Sequence, residues 1–180
     1  SFSNSTTSTC NPNSFIIHVM MMYNTFMVKN KFVSFIFFIA ATYLASFFGG
    51  VATISSKEPW YSTLNKSFLT PPDWIFAPVW TTLYLLMAIA AWNVWANKRE
   101  KSLVYIYLIH LFFNTTWSIV FFVYHSISVA LINLIVIIIF IIYLILRYKD
   151  ISNLSFYLMI PYLLWSCYAL ILNLTLLILN

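Results

Sequence analysis

Charge is scarce in this chain. Asp, Glu, Lys and Arg together make up 7% of its 180 residues, while 62% are hydrophobic. Soluble domains carry about a quarter charged residues. A surface this poor in charge cannot be covered with groups that water solvates, so lipid is the expected solvent and a single domain the expected count. Glycine is almost missing too: Gly49 and Gly50 are the two in the sequence. Cysteine is limited to Cys10 and Cys167, with no C-x-x-C. A disulfide framework therefore has no support, and Cys167 reads as a small residue buried in lipid or core. The net charge of +5 comes without a basic cluster beside an exposed stacking platform, which argues against nucleic-acid binding. Inside the apolar runs there is no deep charge at all, and carboxylate pairs are absent from them. An ion-coupled pump or a carboxylate metal site would need one or the other. His110 and His125 have no second ligand at helical spacing, so a zinc or axial haem site is poorly supported.

Apolar runs and aromatics are plentiful, the latter at 20% of residues. The first 14 residues, SFSNSTTSTCNPNS, are small, polar and expected to be disordered. Residues 1–28 read as a leader or an over-extended gene start, with Met27 opening the sensible beginning MVKNKF. They lack the basic n-region and cleavage site of a secretory signal. Residues 29–180 then form one all-α membrane domain. Five apolar runs are each long enough to cross the hydrocarbon core at about 1.5 Å per residue: 32–50, 73–95, 103–124, 127–146 and 154–179. The first span is expected to end at Gly49-Gly50, as helix C-termini often do. A polar, aromatic-containing loop, 51–72, follows. Asp73 would complement the dipole at the next helix start. Pro78 falls in the second turn, where a missing N–H costs little, whereas Pro161 lies deep in the fifth span and should free the carbonyl of Tyr157.

Lys29, Lys31, Lys98, Arg99, Lys101, Arg147 and Lys149 fall on the N-terminal side, with only Lys57 and Lys66 opposite. That bias puts the N-terminus in the cytoplasm if the host is a cell membrane. In a mitochondrial outer membrane the rule is weaker.

Aromatic residues recur in register within the spans. Trp80, Tyr84, Met87 and Ala91 share one face of the second span, Asn114, Trp117 and Phe121 one face of the third, and Trp165, Ala169 and Leu172 one face of the fifth, with Asn173 alongside. Such stripes serve ordinary packing, and Trp60, Trp74 and Trp95 near span ends fit interfacial anchoring. Trp80, Trp117 and Trp165 sit deeper, where an indole N–H needs a partner. Asn114 and Asn173 need partners across helices or in a cavity. Inward indoles with amides nearby suit a large flat aromatic ligand better than an ion.

Three ordered stretches carry a resemblance. W-Y-S-T-L-N-K (60–66) followed by P-P-D-W-I-F-A-P-V-W-T-T-L-Y (71–84), then F-N-T-T-W-S-I-V-F-F (113–122), then P-Y-L-L-W-S-C-Y-A-L-I-L-N (161–173) resemble the signature of the TspO/MBR family. That family is also known as the translocator protein, tryptophan-rich sensory protein or peripheral-type benzodiazepine receptor family. The resemblance covers roughly 29–180. It implies a five-helix bundle, usually dimeric, with a pocket beneath the first loop that takes protoporphyrin IX and haem-like tetrapyrroles as ligands and requires no cofactor. It assigns Trp80, Tyr84, Asn114, Trp117, Trp165 and Ala169 to the pocket and Trp60 and Tyr61 to the lid. If the porphyrin photo-oxidation reported for some relatives occurs here, Trp80 and Trp165 would be its catalytic residues. The sequence also departs from the family pattern. Lys66 is followed by Ser67 instead of Pro, and Ile119 and Val123 replace Pro and Gly, which implies a more continuous third helix. After Leu172 no Tyr precedes a Lys or Arg, so sterol is a doubtful ligand. No GxxxG marks a dimer face. A small lipid or drug transporter is the other class considered, but neither an embedded charge nor an internal repeat supports it.

Overall fold

The computed structural model describes residues 30–180; the leader expected at 1–28 lies outside the described residues. Among the described residues there are six α-helices: α1 (Lys31–Ser56), the short α2 (Trp60–Thr63), α3 (Phe76–Lys98), α4 (Lys101–Ser118), α5 (Ile127–Lys149) and α6 (Asn153–Leu179). A 3₁₀ turn, Asp73–Ile75, leads into α3, and a π-helical turn, Ile119–Val123, prolongs α4. Five of these segments are long and apolar enough to span a membrane. The chain is thus an all-α five-span bundle, as the composition requires.

Caps explain where the spans begin. The Asn30 side chain accepts from the N–H groups of Phe32 and Val33 at 3.0 and 3.4 Å, and Ser152 accepts from Ser155 N–H at 3.4 Å. Each supplies an acceptor to a helix start whose first donors have no intrahelical partner. Between α3 and α4, Arg99 adopts a left-handed conformation with φ 52°, and its N–H returns to the Trp95 carbonyl at 2.9 Å.

The packing order is not the chain order. α1 packs on α3 and α4, α3 on α6, α6 on α5, and α5 on α4, so the spans close a ring in the order α1–α3–α6–α5–α4. α3 and α4 touch little although only Arg99 and Glu100 join them. Large apolar side chains such as Phe47, Phe48, Ile132, Ile139 and Leu164 cover the outside of the ring. Its interior holds Met87, Ala88, Tyr107, Ile137, Met159 and Tyr162, each at most 1% exposed.

The structure corrects several expectations. α1 does not stop at Gly49-Gly50 but runs on to Ser56. Gly49 instead permits a close helix crossing: a Cβ there would meet Ser118 Oγ at 3.3 Å and Thr115 Cα at 4.0 Å. The same crossing carries a hydrogen bond from Thr115 Oγ1 to the Ala45 carbonyl at 3.1 Å. The third span is not more continuous for having Ile119 and Val123. It leaves α-geometry at Ile119, and Tyr124 N–H bonds the Ile119 carbonyl at 3.1 Å, a five-residue step. Asp73 does lie in the first turn, but its carboxylate is engaged by Lys57, not by free N–H groups. Of the two surroundings expected for Cys167, lipid or core, its exposure rules out the core. α6 keeps its helical course past Pro161, which has no N–H to offer the Tyr157 carbonyl, as expected.

Candidate functional site

α3, α4 and α6 each turn polar aromatic groups into the ring. The Tyr84 hydroxyl donates to Asn114 Oδ1 at 2.5 Å. Asn114 Nδ2 donates to the Tyr162 hydroxyl at 2.8 Å, which in turn meets His110 Nε2 at 2.8 Å. All four residues are buried. A second, shorter link joins Thr42 of α1 to Tyr107 of α4 at 2.7 Å. In hydrocarbon, where water is not at hand, an unpaired polar group costs several kcal/mol, so these links fix how the helices mesh.

Trp80 borders this network. Its ring lies 5.5 Å from Tyr84 and 6.3 Å, edge-on, from Tyr162. Trp117 stacks on Phe121 at 5.1 Å and 15°, and its indole N–H is buried without a hydrogen-bond partner among the described residues. Trp165 packs against Phe76 and Tyr168 at 6.0 and 5.4 Å. Trp80, Trp117, Trp165 and Ala169 are all half-buried against the same core. Asn173 is 2% exposed, and among the described residues neither its amide oxygen nor its amide nitrogen has a partner. Ser166, one face-repeat before Asn173 and one turn after Tyr162 on α6, is also buried.

The segment between α1 and α3 closes over one end of the ring. Tyr61 is buried against Phe121 and Phe122. Trp60 stacks on His125 at 4.3 Å and 18°, with His125 held at φ 53°. Lys66 Nζ sits 3.9 Å above the Tyr61 ring and Lys57 Nζ 5.1 Å from it. Burial, reinforced by the negative charges of Asp73 and Glu58, pushes the Tyr61 phenol up to about 12. The Tyr168 hydroxyl donates to the Leu69 carbonyl at 2.6 Å, and Asn65 and Asn180 exchange hydrogen bonds at 2.8 and 3.1 Å. The segment is therefore fastened to α6 and to the π-helical end of α4.

The site residues expected from sequence fall into two connected groups. Trp80, Tyr84 and Asn114 form one around the buried network, and Trp60, Tyr61 and Trp117 form the other around Phe121. Trp165 and Ala169 flank the first group on α6. Two members of the network were not singled out from sequence as site residues: Tyr162 and His110. Their register could have shown them, since Tyr162 precedes Trp165 by three residues and His110 precedes Asn114 by four, placing each pair on one helix face. The Trp60–His125 stack had no such local signal.

Fold and site together define a multi-pass membrane protein with an aromatic, partly unsatisfied polar interior beneath a fastened loop. A profile of the TspO/MBR family matches residues 35–179, and the chain belongs to that family. It is 35% identical to the tryptophan-rich protein TspO of Chlorobaculum tepidum over 138 residues, covering 74% of this chain and 87% of that one. The tryptophan-rich sensory protein of Cereibacter sphaeroides is 33% identical over 134 residues, 73% of this chain and 85% of the relative. The human translocator protein is 30% identical over 141 residues, 76% of this chain and 83% of its own.

Proposed function

We propose that this protein is a membrane receptor or carrier for tetrapyrroles such as protoporphyrin IX or haem, acting in porphyrin regulation or stress response. The observation that carries the reading is the set of half-buried indoles on α3, α4 and α6, together with buried polar atoms that lack partners among the described residues. Flat indole and phenol faces give a porphyrin broad stacking contact, worth about 0.5–1.5 kcal/mol per ring pair beyond area burial. The free Trp117 N–H and Asn173 amide would orient polar edges of the ligand. Trp60 and Tyr61 would act as the lid. We further infer a homodimer, from the family resemblance, and, from the Lys/Arg bias, an N-terminus in the cytoplasm if the host is a cell membrane.

The test is titration of the protein in nanodiscs with protoporphyrin IX, in the dark and under illumination, followed by tryptophan fluorescence and porphyrin absorbance. Saturable quenching in the dark, weakened in Trp165→Phe and Ala169→Phe, is expected. Absence of quenching at micromolar porphyrin ends the proposal. A second reading, light- and oxygen-dependent porphyrin degradation, is favoured by the closeness of Trp80 to Tyr84 and Tyr162. It requires a new absorbing species under light that disappears in Trp80→Phe or Trp165→Phe.

A further inference from the structure

The buried network is directional. Asn114 uses its oxygen for Tyr84 and its nitrogen for Tyr162. The Tyr162 oxygen therefore already accepts one hydrogen bond, and its single hydrogen is free to be donated to His110 Nε2, 2.8 Å away. This assignment gives Asn114 and Tyr162 one donation and one acceptance each. It places the remaining proton of the imidazole on Nδ1, which is buried and has no partner among the described residues. A phenol hydrogen-bonded to an imidazole nitrogen is the pairing that proton-coupled oxidation needs. Losing an electron makes a phenol strongly acidic, and a base already in contact takes the proton without any atom crossing the membrane interior.

From these contacts we propose that Tyr162 and His110 form a redox relay that draws an oxidising equivalent away from Trp80. The proposal rests on the tetrapyrrole reading for its natural oxidant, a photo-excited porphyrin at the indole wall. In the first step Trp80 gives one electron to the excited ligand, leaving an indole cation radical and a ligand radical anion. In the second, Tyr162 returns one electron to Trp80 across the 6.3 Å ring separation. Its O–H bond breaks as an N–H bond forms at His110 Nε2, so the products are neutral indole, a phenoxyl radical and an imidazolium. The positive charge moves from Trp80 to His110, and the total is unchanged. Dioxygen takes the electron from the ligand radical anion and becomes superoxide.

The neighbouring phenols lack what the relay requires. Tyr84 is nearer to Trp80, at 5.5 Å, but its hydroxyl donates to an amide oxygen, a far weaker base than imidazole. Tyr107 faces the Thr42 hydroxyl at 2.7 Å, and its ring stacks on His110 without a hydrogen bond between them. Asn114 supports the relay differently, since its N–H to the Tyr162 oxygen stabilises the phenoxyl product. Tyr162 and His110 are positioning and relay residues, behind Trp80 as seen from a ligand.

The experiment uses the full chain in nanodiscs in two arms. One excites the protein's own indoles with an ultraviolet flash in the presence of hexacyanoferrate(III). The other excites added protoporphyrin IX with visible light under air. Electron paramagnetic resonance, with ring-deuterated tyrosine as a label, identifies where the radical rests. The expected result in both arms is a neutral tyrosyl radical whose high-field spectrum reports a hydrogen bond from a cation. That signal is lost in Tyr162→Phe, which leaves an indolyl radical. It is also lost in His110→Gln, whose amide can accept the hydrogen bond but not the proton. A radical that stays on indole in the unmodified chain, or a tyrosyl signal that survives Tyr162→Phe, overturns the relay. The high-field measurement needs no variant, so a misfolded mutant does not rescue the idea. A tyrosyl radical in the ultraviolet arm alone leaves the relay standing and removes the tetrapyrrole as its oxidant.

Discussion

Asn173 offers a test in which stability and binding move in opposite directions. The residue is 2% exposed, and both polar atoms of its amide lack partners. Replacing it with leucine keeps the branch at Cγ and puts methyl groups where Oδ1 and Nδ2 stood. An unsatisfied buried polar group costs about 1–3 kcal/mol. Intramembrane hydrogen bonds average only about 0.6 kcal/mol, because a helix released into lipid still finds partners. The extra bulk of the methyl groups also opposes the gain. The net expectation is a stabilisation of about 1 kcal/mol for Asn173→Leu. In a chain of this size that raises the apparent Tm by about 2–4 °C, read by intrinsic fluorescence at a fixed scan rate in nanodiscs. Asn173→Asp is the reciprocal control. A carboxylate at the same buried position should lower Tm, since burying an unpaired charge costs more than burying an amide. In the porphyrin titration, Asn173→Leu should bind more weakly than the unmodified chain despite being more stable. A lower Tm for Asn173→Leu would show that the amide is satisfied and holds the helices together, and the reasoning would fail. Unchanged porphyrin affinity in the stabilised variant would remove Asn173 from the site.

The adjacent glycines should respond with opposite signs. Gly50→Ala meets nothing within 4 Å and should stabilise by about 0.5–1 kcal/mol through helix propensity. Gly49→Leu must push α1 away from Ser118 and Thr115, a loss of about 1–3 kcal/mol; paired thermal melts of the two variants check this. Tyr61 provides a pH signature. Its folded phenol is raised from 10.0 to about 12, so the folded state holds its proton more tightly than the unfolded state does. The stabilisation is fully present below pH 10 and is lost as pH rises toward 12. The phenolate difference spectrum between the chain and Tyr61→Phe should show its midpoint near 12, and a midpoint near 10 would mean that the lid leaves Tyr61 in water.

Much of this molecule was legible before any coordinates. With so little charge and five long apolar runs, the backbone could satisfy its hydrogen bonds in lipid only as helices, and the periodicity of Trp80, Tyr84, Asn114, Trp117 and Trp165 marked faces that pack against the core. Local caution misled at Gly49. Glycine next to a polar loop reads as a helix end, but here it was selected by the proximity of α4, and sequence spacing carries no information about which helix lies opposite. The π-helical turn at Ile119–Val123 was equally hidden; it coincides with the packing of Phe121 and Phe122 against Tyr61, a contact that sequence spacing does not reveal.

The sequence alone determined the number of spans, their apolar faces and the family signature, because these depend on composition, period and short motifs. Tertiary structure decided the ring order α1–α3–α6–α5–α4, the fastening of the segment between α1 and α3 to α6 through Tyr168 and Leu69, and the joining of Tyr84, Asn114, Tyr162 and His110 into one chain of hydrogen bonds. Those features depend on which helix faces which, and in lipid that choice rests on close packing and the pairing of a few polar groups across helices.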